Sequence, residues 1–203
     1  MSASIHRRPL MAEILRNAGP DLLLVTGLGQ TCYDSAAAGD RDLTFPMWGG
    51  MGAAAMVGLG LALAQPAKRV IVATGDGEML MGMGSFASIA AKAPRNLAIA
   101  VFDNEHYGET GNQSTHTAPS GQGPVRSGAG TDLAAVARAC GITDAATIRN
   151  EADVAAAVQA CRAAAGPLVR VFKVVNEKLP LAMPPRDGAL LKDRFRKALL
   201  GAA

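Results

Sequence analysis

The stretch Val70-Ile71-Val72-Ala73-Thr74-Gly75-Asp76-Gly77, answered by Leu97-Ala98-Ile99-Ala100-Val101-Phe102-Asp103-Asn104, decides how this chain reads. Each half is a short apolar run that stops on glycine or on an acid and an amide. Continuous runs of this kind, rather than alternating ones, are what strands buried on both faces of a sheet require. Between them, residues 84–92 carry a helical pattern that stops near Pro94. Strand, helix, strand in that order is the unit of a parallel sheet.

The same alternation recurs outward. Residues 11–18 read as a short amphipathic helix ended by Gly19-Pro20. Leu22-Leu23-Leu24-Val25 reads as a buried strand that stops at Thr26-Gly27-Leu28-Gly29. A polar loop is expected over 35–42, then Leu43-Thr44-Phe45, then Gly49-Gly50-Met51-Gly52 and a small-residue helix over about 53–65. Residues 105–130 are polar, rich in Gly and Pro and without apolar periodicity, and a loop of that length is usually functional. Thr131-Asp132 caps a helix to about Cys140, followed by a strand at 145–149, a helix at 151–164, a strand at 168–175 and a helix at 190–200. The expected fold is α/β, a parallel sheet flanked by helices on both faces, in a single domain over residues 1–203.

Composition narrows the function classes. At 203 residues and 49% apolar the chain can bury a full core, and small residues dominate it. A net charge of +3, with no Lys/Arg cluster interleaved with aromatics, gives no nucleic-acid footprint. The longest apolar stretch, residues 51–64, is interrupted by glycines and too short to span a bilayer, and no signal peptide leads the chain. Cys32, Cys140 and Cys161 are odd in number with no CxxC, so they read as reduced thiols of a cytoplasmic protein.

In an open parallel sheet, ligands bind beyond the carboxyl ends of the strands. Three loops leave apolar strands there: Thr26 to Gly29, Gly75 to Gly77 and Asp103 to His106. Glycines on each side of Asp76 let the backbone turn tightly and present N–H groups to an anion. Asp76 beside a phosphate calls for a cation between them, and Mg²⁺ is the hard ion that bridges carboxylate and phosphate oxygens. Asn104 supplies a second oxygen from the next strand. Met79, Met81 and Met83 read as packing at a helix start, Ser85 and Ser88 lack a nucleophile elbow, and His6 reads as a solvated terminal residue.

At these residues the sequence resembles the thiamine-diphosphate-dependent decarboxylase family, whose fingerprint is GDG, a spacer of this length, then NN or a variant. Asp103 stands here for the first Asn. The resemblance implies thiamine diphosphate and Mg²⁺ as cofactors, with Asp76 and Asn104 binding the metal through side chains and His106 through its main-chain oxygen. Gly77 and Glu78 would offer N–H groups to the diphosphate, and Gly27 and Tyr107 join the cofactor-binding candidates. Gly49-Gly50-Met51-Gly52 looks like the family's segment beneath the aminopyrimidine. There the Gly49 carbonyl would accept from the 4′-amino group, and Met51 would be the apolar wedge that folds the cofactor. Met51 and His116, which lies in the loop after the metal residues, are the candidates for catalytic work, with Thr110 and Gln113 in the same loop.

The resemblance also implies what is missing. The family's activating glutamate sits in a separate pyrimidine-binding domain, and Glu78, Glu105, Glu151 and Glu177 do not fit that role. A hetero-oligomer is therefore expected, with a pyrimidine-binding α subunit carrying the glutamate. The run from Asp103 to Gln113 looks like the post-metal loop of the sulfopyruvate and phosphonopyruvate decarboxylase group, departing at Glu109 and Asn112. That makes this chain the expected β subunit of an enzyme releasing CO₂ and an aldehyde from a small 2-oxo acid. Two other readings stay open: the β subunit of a 2-oxoacid:ferredoxin oxidoreductase, and a non-catalytic cofactor-binding module.

Overall fold

Strands β1 (Leu22–Thr26), β3 (Arg69–Gly75), β4 (Leu97–Asp103) and β8 (Leu168–Lys173) are the continuous apolar runs of the sequence. With β2 (Thr44–Pro46) and β7 (Asp144–Ile148) they pair in parallel, in the order β2-β1-β3-β4-β8-β7. The computed structural model describes residues 4–119 and 130–201.

Side chains alternate across the sheet, so one strand feeds two cores. From β4, Leu97, Ile99 and Val101 pack on one face with residues of α3 (Ala54–Ala64), α5 (Ser85–Lys92), α6 (Leu133–Ala139) and α8 (Gly188–Leu200). Ala98, Ala100 and Phe102 face the other way, onto α1 (Arg7–Leu15) and α7 (Val154–Ala163). Helices thus cover both faces, as the alternating sequence requires.

Three helices differ from expectation. Helix α2 (Gln30–Ala37) runs into the stretch expected to be a polar loop, because its buried side chains are Thr31, Cys32, Asp34 and Ser35 rather than hydrophobics. Helix α4 (Asp76–Met81) starts on the Gly75-Asp76-Gly77 turn itself, ahead of α5. Helix α1 begins at Arg7 rather than Met11. Within the polar stretch, β5 (His106–Tyr107) and β6 (Gln113–Ser114) form a small antiparallel hairpin; residues 120–129 of that stretch lie outside the described residues. Asp132 caps α6 as expected, accepting from Ala135 N at 2.9 Å. Among the described residues, no helix is long and apolar enough to cross a membrane.

The strand order fixes where a ligand can lie. From β1 the chain moves to β2 on one side, and from β3 to β4 on the other. The loops after β1 and β3 therefore part and leave a crevice at the carboxyl edge. Thr26 pairs with Ala73 and Gly75 with Phe102, so the three loops singled out in the sequence come to that one edge.

Candidate functional site

At the carboxyl edge lies a cleft of about 690 Å³, open to solvent. Asp76, Gly77, Glu78, Asn104, His106, Tyr107 and Met51 all line it. Seven residues expected to serve one site thus meet in one place. Gly27, Gly49 and His116 do not line the cleft. Gly27 lies behind Glu78, Gly49 in the connection from β2 to α3, and His116 is exposed after the hairpin with Nδ1 3.5 Å from the Tyr107 hydroxyl.

Asp76 is 1% exposed, in the first turn of α4. Its Oδ2 accepts from the hydroxyls of Thr115 at 2.5 Å and Thr117 at 3.0 Å, which leaves Oδ1 without a side-chain partner. The Thr117 hydroxyl also lies 2.8 Å from Asp103 Oδ1. It carries one hydrogen, so it serves one of the two carboxylates at a time. Asp103 is held further by Lys173, at 2.9 Å from Oδ2. Burial first, and then the charge of Asp103, push the Asp76 carboxyl up to about 6. A cation bound at Oδ1 would favour the ionised form and reverse that shift.

Asn104 and His106 close a tight turn around Glu105, whose φ is +62°. His106 N–H donates to Asn104 Oδ1 at 3.0 Å, and the His106 ring Nδ1 lies 2.8 Å from the Asn104 carbonyl oxygen. The Asn104 amide donates to Gln30 Oε1 at 3.1 Å, which ties the β4 edge to the start of α2 across the crevice. Beside it the Tyr107 ring covers Gly77 so closely that a Cβ there would sit 2.6 Å from Cε1.

Glu78 forms the back wall. It is buried; its Oε2 accepts from Thr74 at 2.9 Å and Oε1 has no hydrogen-bond partner. Burial raises its carboxyl above the usual range, against the pull of Thr74 and of backbone amides at Ala54, Leu28 and Gly52. One carboxylate thus touches the loop after β1, the end of β3 and the start of α3. At the cleft's lip, Met51 is 58% and Met81 60% exposed.

The donor set fits a magnesium diphosphate. No three His, Cys, Asp or Glu side chains cluster as a metal cage among the described residues. Mg²⁺ does not need one, since it takes one or two protein oxygens and completes its shell from phosphate and water. Asp76 Oδ1 and the Asn104 amide oxygen are oxygens of that kind, while Gly77 and Glu78 lie in the first turn of α4. Sequence reasoning missed Gln30, Thr115, Arg7 and Asp34. The Thr115-x-Thr117 spacing was the available signal for one of them.

Residues 28–171 match the family described as thiamine pyrophosphate enzyme, C-terminal TPP binding domain. The chain belongs to this family of enzymes, as its GDG turn implied. It is 35% identical to the sulfopyruvate decarboxylase subunit beta of Methanococcus maripaludis, over 92% of this chain and 94% of that one. It is 37% identical to the phosphonopyruvate decarboxylase of Streptomyces viridochromogenes, over 92% of this chain but 43% of that protein. In architecture it matches benzoylformate decarboxylase from Polynucleobacter necessarius with a TM-score of 0.69 at 18% identity, covering 87% of this chain and 34% of that one. Against the two larger proteins, the chain spans less than half their length.

Proposed function

We propose that this chain, as a single diphosphate-binding domain, is the β subunit of a thiamine-diphosphate- and Mg²⁺-dependent decarboxylase of a 2-oxo acid with an anionic tail, of the sulfopyruvate or phosphonopyruvate type. The observation that carries the proposal is the Asp76 carboxylate, buried and pinned by two hydroxyls through one oxygen while the other stays unclaimed by side chains. Asp76 and Asn104 would hold Mg²⁺ with the His106 carbonyl, and the first turn of α4 would receive the diphosphate. When bound, the thiazolium supplies the electron sink that lets CO₂ leave.

The chain's own residues then have defined tasks. Met51, free at the lip, would pack against the bound cofactor, with Gly49 offering it a backbone carbonyl. Tyr107 and the hairpin would screen the diphosphate from water, and His116, 3.5 Å from the Tyr107 hydroxyl, would hold or move a proton. The acid that activates the pyrimidine comes from an α subunit. Met51 and Met81 leave an uncovered apolar lip beside the cleft, which suits such a partner.

The test is reconstitution. Chain and α subunit, mixed with Mg²⁺ and thiamine diphosphate, should release CO₂ from sulfopyruvate or phosphonopyruvate, and Asp76→Ala should abolish both release and Mg²⁺-dependent cofactor binding while the chain stays folded. No CO₂ from any 2-oxo acid would overturn the reading. Iron and labile sulfide in the complex would point instead to an oxidoreductase.

A further inference from the structure

One wall of the cleft is built from a part of the chain that no motif marks. Arg7, at the start of α1, is 4% exposed and lines the cleft together with Asp34 of α2. Both of its bonds to Asp34 leave from Nη1, at 2.6 Å to each carboxylate oxygen. Its buried Nε has no hydrogen-bond partner. Arg8 adds a third bond to Asp34, from Nε at 3.2 Å. Two guanidiniums on one carboxylate leave a net positive charge at this wall.

Charge bookkeeping makes that wall matter. The residues lining the cleft include four carboxylates, Asp34, Asp76, Glu78 and Glu109, and Arg7 is the lining residue with a fixed positive charge. A diphosphate carries about three negative charges, and one Mg²⁺ at Asp76 offsets two of them. The nearby Lys173 cannot supply the rest, because Asp103 and Glu105 already hold it at 2.9 and 2.5 Å. A buried guanidinium with an unfilled donor is also a poor structural ornament, since an unsatisfied charged donor is expensive to bury.

We propose that Arg7, oriented by Asp34, is a direct contact for the terminal phosphate of the diphosphate. The planar fork suits phosphate oxygens, and with Nη1 committed to Asp34 the other guanidinium nitrogens make no hydrogen bond to a described residue, on a side chain that lines the cleft. Asp34 is then a positioning residue that fixes the fork and is itself kept neutralised by Arg8. The inference rests on the thiamine-diphosphate reading and adds to it a cation at the end of the cofactor away from the chemistry.

The experiment compares thiamine diphosphate with thiamine monophosphate on the assembled complex with Mg²⁺, by titration calorimetry. Wild type should prefer the diphosphate. Arg7→Lys, which keeps the charge and the Asp34 pairing, should lose part of that preference. Arg7→Met/Asp34→Leu, which replaces the buried pair with apolar bulk and so spares the fold, should weaken diphosphate binding at least tenfold and leave monophosphate binding within twofold. Unchanged diphosphate affinity in a folded double variant, or equal loss for both ligands, would overturn the inference. Wild type that binds neither ligand would instead sink the cofactor reading on which it stands.

Discussion

Gly27 and Glu78 occupy each other's space: a Cβ on Gly27 would lie 1.5 Å from Glu78 Oε2. The turn after β1 can pass behind the Gly75-Asp76-Gly77 turn only because one residue has no side chain and the other folds its carboxylate into the gap. Gly27→Ala should therefore destabilise the chain by roughly 1–3 kcal/mol, the range for overpacking a filled interior. Adding Glu78→Ala to it should recover part of that loss, a coupling of about 1 kcal/mol for residues in direct contact. Denaturant melts of the two single variants and the double decide it, and strictly additive losses would count against the contact.

Asp76 makes the metal-free chain pH-sensitive in a defined direction. Its carboxyl rises from 3.8 to about 6 on folding, because of burial and then Asp103. Between those values the folded chain holds a proton that the unfolded chain has released, so stability falls as pH rises and the penalty is complete above the upper value. For so buried a group the full effect is about 3 kcal/mol. Asp76→Asn should flatten this slope between pH 4 and 7, and saturating Mg²⁺ with thiamine diphosphate should abolish it in the wild type. Melts of wild type and variant that stay parallel across that range would contradict the assignment.

Met51 contributes almost nothing to the fold of this chain, given its exposure. Met51→Ala should leave stability within about 0.5 kcal/mol of wild type. Decarboxylation by the assembled enzyme should nevertheless fall on the order of a hundredfold, as expected when a reacting group loses its alignment. A destabilised chain with normal turnover would reverse the assignment.

His116 is exposed as well, so His116→Ala should melt like the wild type. If it moves a proton through the Tyr107 hydroxyl, kcat should drop on the order of a hundredfold with KM little changed. An unchanged kcat would return His116 to the solvent.

The parts of this molecule legible in the sequence are those whose physics is local. Strands β1, β3, β4 and β8 are continuous apolar runs, and the GDG turn and Asp103-Asn104 declare themselves by residue type and spacing. Helix α2 was hidden because its inward face is polar. Thr31 donates to the Gly27 carbonyl at 3.0 Å, Ser35 to the Cys32 carbonyl at 2.8 Å, and Asp34 binds Arg7, so no apolar period survives to be read. Arg7 was hidden for another reason. Its meaning lies in a contact 27 residues away in the chain, and nothing in the local sequence at either end announces it. Thr115 and Thr117 likewise make sense only once the hairpin folds back on Asp76.

That fold-back carries a consequence for engineering. The hairpin from His106 to Ser114 forms a two-stranded sheet of its own, and the two threonines that follow it fasten the segment to Asp76. The segment is therefore an exchangeable cassette. A graft over residues 108–114 that keeps Thr115 and Thr117 retains the latch and leaves His106 and Tyr107 where they line the cleft. One that drops the threonines loosens Asp76 together with the segment it set out to change.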